Sequence, residues 1–129
     1  MRLLLIAALF LLGIVFVANG IGFLLTPEQQ AAGFGMGADG IQGLSTLRAD
    51  MTAFFVVAGG ALMWGAWRRA GDVLLVAAAL VGIAFTGRFV SLLADGIYEG
   101  WWFPMGVEAL TVVLALIGSR MLPHHAMKA

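Results

Sequence analysis

Four apolar stretches, residues 3–25, 47–67, 73–94 and 103–122, take up most of this 129-residue chain. Each is long enough to cross the roughly 30 Å hydrocarbon core of a bilayer, which takes about 20 helical residues. The pattern predicts an all-α, polytopic membrane protein: one four-transmembrane-helix bundle over residues 1–129, with helices at about 3–25, 47–67, 73–94 and 103–122. Composition points the same way. A soluble domain of this length has no interior large enough for 62% hydrophobic residues and a mean hydropathy of +1.02. Seven basic side chains balance seven acidic ones. No basic stripe exists for nucleic acid. The absence of cysteine removes disulfides, thiolate chemistry, iron–sulfur clusters and cysteine-ligated zinc.

The N-terminus has features of a signal peptide: Met1-Arg2 before an apolar run, and Ala18-Asn19-Gly20 as a weak cleavage site. The run continues through Ile21-Gly22-Phe23-Leu24-Leu25, longer than a signal core, so the expectation is a retained first helix. Thr26-Pro27-Glu28-Gln29 reads as a fresh N-cap opening a short interfacial helix. A glycine-dense loop from Gly33 to Gly43 follows, with the character of a flexible lid. Ser45 or Thr46 is expected to cap the second membrane helix, Asp72 the third. Gly96 should end the third helix and Pro104 start the fourth.

With four crossings, Arg2, Arg68, Arg69, Arg120 and Lys128 fall on one side, and Glu28, Asp39, Asp50, Asp95 and Glu99 on the other. The positive-inside rule then places both termini in the cytoplasm. Trp64 and Trp67 mark one interface, Tyr98, Trp101 and Trp102 the other.

Asn19, Arg48, Arg88 and Glu108 lie inside or at the rim of the apolar stretches. At 1.5 Å per residue, Asn19 sits about 9 Å below its helix end, Arg88 about 10 Å below Asp95, and Glu108 about 6–9 Å below Trp102. Arg48 is shallower. Arg88, Ser91 and Asp95 share one helix face, Arg48 and Thr52 another; Glu108, Thr111, Ala115 and Gly118 form a small and polar stripe. Lipid satisfies none of these groups, so the stripes should face inward around a cavity ringed by Arg48, Arg88 and Glu108. Asn19 and Asp95 complete the candidate ligand-binding set. A purely structural role stands beside this: an Arg88–Glu108 pair that fixes register, a snorkelling Arg48, a helix–helix hydrogen bond at Asn19 and a solvated helix-end charge at Asp95.

Other signals are weaker. Gly35-Met36-Gly37-Ala38-Asp39-Gly40 matches G-x-G-x-x-G but lacks the strand that gives the motif its meaning. Ala61-x-x-x-Gly65, Ala78-x-x-x-Gly82 and Gly59-Gly60 permit close helix approach, within the bundle or between copies. His124 and His125 sit in a polar tail without convergent ligands, so no metal site is expected. No membrane histidine or cysteine offers a haem ligand.

Leu47-Arg48-Ala49-Asp50, Gly87-Arg88-Phe89-Val90-Ser91 running to Asp95-Gly96, and Glu108 early in the fourth helix resemble a family of small bacterial four-helix integral membrane proteins of unknown function, distantly DoxX-like. The resemblance covers nearly the whole chain. It implies a bundle in the bacterial inner membrane. Some DoxX-like relatives are small subunits of membrane oxidoreductases that handle quinones. No catalytic residue is carried over.

Three functions compete. The first is an accessory subunit binding a quinone- or lipid-like amphiphile. Arg48, Arg88 and Glu108 sum to one positive charge, which suits an electron-rich head group. No other cofactor is evident. The second is an isomerase-like membrane enzyme with Glu108 as acid or base, where burial and a nearby Arg88 pull the carboxyl in opposite directions. The third is a ligand-free scaffold or an oligomeric transporter. Partners on these readings are the bilayer, an amphiphile, a membrane protein or further copies of the chain.

Overall fold

The structure, a computed structural model, describes residues 1–123; His124, His125 and Lys128 lie outside them. The described elements are α1 (Arg2–Leu25), α2 (Pro27–Ala32), α3 (Gly40–Thr46), a π-helical segment (Leu47–Met51), α4 (Thr52–Trp67), α5 (Gly71–Asp95) and α6 (Trp102–Met121). α3, the π segment and α4 run on as one 28-residue helix, Gly40–Trp67. Four helices are thus long and apolar enough to cross a membrane, as a multi-pass protein requires. They form an all-α four-helix bundle.

Adjacent helices in sequence pack side by side, α1 on α4, α4 on α5 and α5 on α6. The tightest seam joins α1 to α4, where glycine brings two backbones together. A Cβ on Gly59 would meet the Gly13 carbonyl oxygen at 2.6 Å and the Val17 nitrogen at 2.8 Å. α6 closes the ring against α1 and α5 near the end that holds Arg2 and Leu122, where a Cβ on Gly118 would strike Leu74 at 2.6 Å and Leu9 at 2.9 Å. There the Gly71 N–H also donates to the Pro123 carbonyl at 2.7 Å.

Burial is uneven along the bundle. α5 buries Gly71, Asp72, Leu74, Ala77, Ala78 and Val81, and nothing beyond Val81. At the loop-bearing end the core is aromatic instead. Phe55 of α4 lies 5.8 Å from Phe16, 5.6 Å from Phe23 and 5.5 Å from Phe34, centroid to centroid.

Phe34 changes the picture of the glycine-dense segment. It belongs to a turn closed by the Phe34 and Met36 N–H groups on the Ala31 carbonyl, and it docks into the aromatic core. Beyond it, Gly40 adopts a φ of 70°, open to glycine without strain, and turns the chain directly into α3. The second membrane helix therefore starts at Gly40. Neither Ser45 nor Thr46 caps it: Thr46 is helical, and its hydroxyl donates to the Gln42 carbonyl. Residues 35–40 follow no strand, so the G-x-G-x-x-G match has no phosphate-loop geometry.

Three other helix ends also differ from expectation. Thr26 holds the cap position of α2 without capping it, because its hydroxyl donates back to the Gly22 carbonyl of α1. Ala70, with extended backbone, is the cap residue of α5; Asp72 is already inside the helix and buried. α6 begins at Trp102, which leaves Pro104 within the first turn, where a missing N–H costs nothing. Gly96 ends α5 at a φ of 100°, as a C-terminal glycine should.

Adjacent glycines test the seam. Gly59→Ala should destabilise the protein by about 1–3 kcal/mol, because backbone atoms on α1 have no room to yield. Gly60→Ala, with nothing within 4 Å of its added methyl, should be neutral or gain up to about 1 kcal/mol from helix propensity. Thermal unfolding of both variants in one detergent decides it; equal effects would contradict the α1–α4 packing.

Candidate functional site

Hydrogen bonds sort the polar residues at the loop-bearing end into two groups. The first gathers at the end of α1. Arg48 Nη1 donates to the Leu24 carbonyl at 3.0 Å, and Thr52 Oγ1 to the Gly20 carbonyl at 3.2 Å. The last carbonyls of a helix lack internal partners and carry the negative end of its dipole. α1 has no basic residue in its own last turn, so Arg48 supplies the cation from another element. The π segment at Leu47–Met51 alters the helical register in the very turn that carries Arg48.

Asn19 belongs to the same group. Its Nδ2 donates to the Val15 carbonyl at 2.9 Å, and its Oδ1 accepts from Gln30 Nε2 at 2.7 Å. Gln30 crosses Gly22 on the way: a Cβ there would meet Gln30 Oε1 at 2.5 Å. Glycine at 22 thus lets the short α2 fold back onto α1. Its sequence position does not single out Gln30. The available signal was a lone membrane amide with a glycine three residues on, followed by an interfacial helix rich in glutamine.

The second group lies on α5 and α6. Arg88 Nε donates to Glu108 Oε2 at 3.0 Å, an ion pair between adjacent spans at matching depth. The Glu108 side chain is only 11% exposed and that of Arg88 34%. Glu108 Oε1 is buried and has no hydrogen-bond partner among the described residues. One turn farther along α5, Ser91 Oγ donates to Asp95 Oδ2 at 2.9 Å. Thr111, on the Glu108 face of α6, turns its hydroxyl back to the Val107 carbonyl at 2.8 Å. All four members of the predicted α6 stripe, Glu108, Thr111, Ala115 and Gly118, are buried.

Arg88 and Glu108 therefore meet, with Ser91 and Asp95 on the same flank. Asn19 and Arg48 meet a different set of partners at the end of α1. The grooves at this end repeat the division. Arg48 lines two of them, with Leu24, Ile41, Leu44, Ser45 and Ala49 in one and Thr26, Pro27, Glu28, Gln29 and Leu44 in the other. Neither groove includes Arg88 or Glu108. Among the described residues, no cluster of three or more histidine or acidic side chains is placed to hold a metal ion.

Residues 4–119 match a family described as "Domain of unknown function (DUF4345)". The chain belongs to this family. The match spans all four long helices of this DUF4345 domain and both polar groups. No match was found among curated proteins or solved structures.

The second group has a clear energetic signature. Arg88→Ala should leave a buried carboxylate without its cation. The expected loss is on the order of 2–3 kcal/mol, below the roughly 3–5 of a fully buried pair because Arg88 is one-third exposed. The double replacement Arg88→Met with Glu108→Leu should restore near wild-type stability, since apolar isosteres of buried pairs are often neutral. Thermal unfolding of the three proteins checks this; a double variant as unstable as Arg88→Ala would show that the pair fixes the packing itself.

Proposed function

We propose that this protein binds an amphiphile through the Arg88–Glu108 pair, as an accessory subunit of a membrane complex, with a quinone or quinol the head group that fits best. One observation carries the reading. Glu108 is buried within a membrane span, one oxygen engaged by Arg88 and the other without a hydrogen-bond partner. An unsatisfied polar atom is costly in an apolar setting, and a carboxylate costs more than a neutral group.

The chemistry of the pair defines the head group. Glu108 Oε1 accepts and wants an O–H or N–H donor. Arg88 uses Nε on Glu108, and its guanidinium offers further donors for a carbonyl or anionic oxygen. A molecule carrying a hydroxyl and a carbonyl-type oxygen meets both. The exposed third of Arg88 and the absence of buried residues on α5 beyond Val81 leave this side open toward lipid, where an isoprenoid or acyl tail lies. The resemblance to DoxX-like subunits of quinone-handling oxidoreductases supports the accessory role and a place in the bacterial inner membrane. The basic residues Arg2, Arg68, Arg69 and Arg120 support cytoplasmic termini. Asn19 and Arg48, already bonded at the end of α1, stand apart from this ligand, and Asp95 flanks it.

The same free oxygen supports a second reading, an isomerase-like enzyme in which Glu108 moves a proton on the bound molecule. Glu108→Gln separates the two: lost turnover with retained ligand favours the enzyme.

The binding reading is tested with the variant that keeps the fold. Native mass spectrometry of protein extracted in mild detergent should show a stoichiometric amphiphile on the wild type. Arg88→Met with Glu108→Leu should lower its occupancy at least tenfold, the equivalent of one lost charge-assisted hydrogen bond at about 1.4 kcal/mol. Undiminished occupancy in a folded double variant rejects the site.

A further inference from the structure

Arg48 stands between two grooves that share it and Leu44 and so run together. One, of about 480 Å³, is walled by Leu24, Ile41, Leu44 and Ala49; the other, of about 360 Å³, by Thr26, Pro27, Glu28 and Gln29. The first is lined mainly by apolar surface and the second, with Thr26, Glu28 and Gln29, carries the larger polar share, so the pair grades as the tail and head of a phospholipid do. The level fits as well. α1 has 24 residues and so spans about 36 Å at 1.5 Å per residue, more than the roughly 30 Å hydrocarbon core. Its end at Leu24 and Leu25 therefore reaches the head-group region, and Arg48 is fastened there by Nη1 on the Leu24 carbonyl.

Charge narrows the occupant. Arg48 forms no ion pair among the described residues, and neither does Glu28, two exposed side chains of opposite sign on the same rim. A purely anionic head group meets Arg48 but is repelled by Glu28. A head group carrying both a phosphate and a protonated amine meets both. Ile41 of α3, 87% exposed, lies along the apolar groove in position to contact a lipid chain.

We propose that Arg48 and Glu28 form a binding site for a zwitterionic aminophospholipid, phosphate on Arg48 and ammonium on Glu28, one acyl chain lying along Leu24, Ile41 and Leu44. The site is separate from the Arg88–Glu108 pair and does not depend on what that pair binds. The guanidinium holds phosphate by charge-assisted hydrogen bonds, and Glu28 makes the distinction between head groups.

The test adds phosphatidylethanolamine, phosphatidylcholine and phosphatidylglycerol of one acyl composition to delipidated protein, and measures occupancy by native mass spectrometry. Wild type should retain phosphatidylethanolamine about tenfold better than phosphatidylglycerol, and better than phosphatidylcholine, whose trimethylated amine donates no hydrogen bond. Glu28→Gln should erase the preference over phosphatidylglycerol, and Glu28→Lys should reverse it. Glu28 is exposed and unpaired, so both variants should fold, which circular dichroism confirms. Arg48→Ala should lower occupancy by all three lipids about tenfold, and Arg48→Lys should recover part of it. Wild-type preference for phosphatidylglycerol, a lipid order unchanged in Glu28→Lys, or full retention by folded Arg48→Ala would each overturn the proposal and leave Arg48 as a snorkelling side chain that closes α1.

Discussion

The contact between the backbones of Gly13 and Gly59 sets the rest of the molecule. With no side chain at either position, α1 and α4 approach closely enough for the register between them to be fixed by main-chain atoms. Everything toward the loop-bearing end of that seam depends on this register. It puts Thr52 opposite the Gly20 carbonyl, Phe55 beside Phe23 and Arg48 within reach of Leu24. A shift of one turn between the helices would break all three together.

A second constraint is that lipid supplies no hydrogen bonds. The chain meets it mostly by local means. Asn19, Thr26, Thr46, Thr86 and Thr111 each bond the carbonyl four residues back. Longer reaches join Arg48 to the Leu24 carbonyl, Thr52 to the Gly20 carbonyl, Gln30 to Asn19 and Arg88 to Glu108. Against that pattern, Glu108 Oε1 stands out as a buried side-chain atom left unsatisfied. Natural interiors tolerate few such atoms, and those that persist tend to belong to sites.

Much of this was legible in the amino-acid order, for identifiable reasons. The spans were clear because uninterrupted apolar runs of this length have few other fates. The Arg88–Glu108 pair was legible because two opposite charges at equal depth on consecutive helices have few other partners. The fate of Arg48 was not. Its acceptor is a main-chain carbonyl, which no residue type announces, and the π segment at Leu47–Met51 breaks the regular spacing on which face assignments rest. The start of the second membrane helix was hidden for a different reason. Glycine density reads as loop, although within that segment Gly35 and Gly40 alone adopt a positive φ and Phe34 anchors the turn. Docking of α2 onto α1 rested on a cleft left by Gly22, and an absent side chain leaves no pattern in sequence.

The bareness of α5 beyond Val81 has a consequence for how Arg88 is reached. For the amphiphile proposed to bind there, the surroundings on that side are acyl chains, so it would diffuse in two dimensions and displace lipid. The quantity that governs occupancy is then mole fraction in the bilayer, with every phospholipid a competitor at nearly unit activity. Affinity on that scale has a low ceiling for greasy tails, which lipid and ligand share, and discrimination falls to the few atoms of the head group. A site of this kind needs only a small number of polar contacts to be selective, provided they lie where lipid itself has nothing to offer.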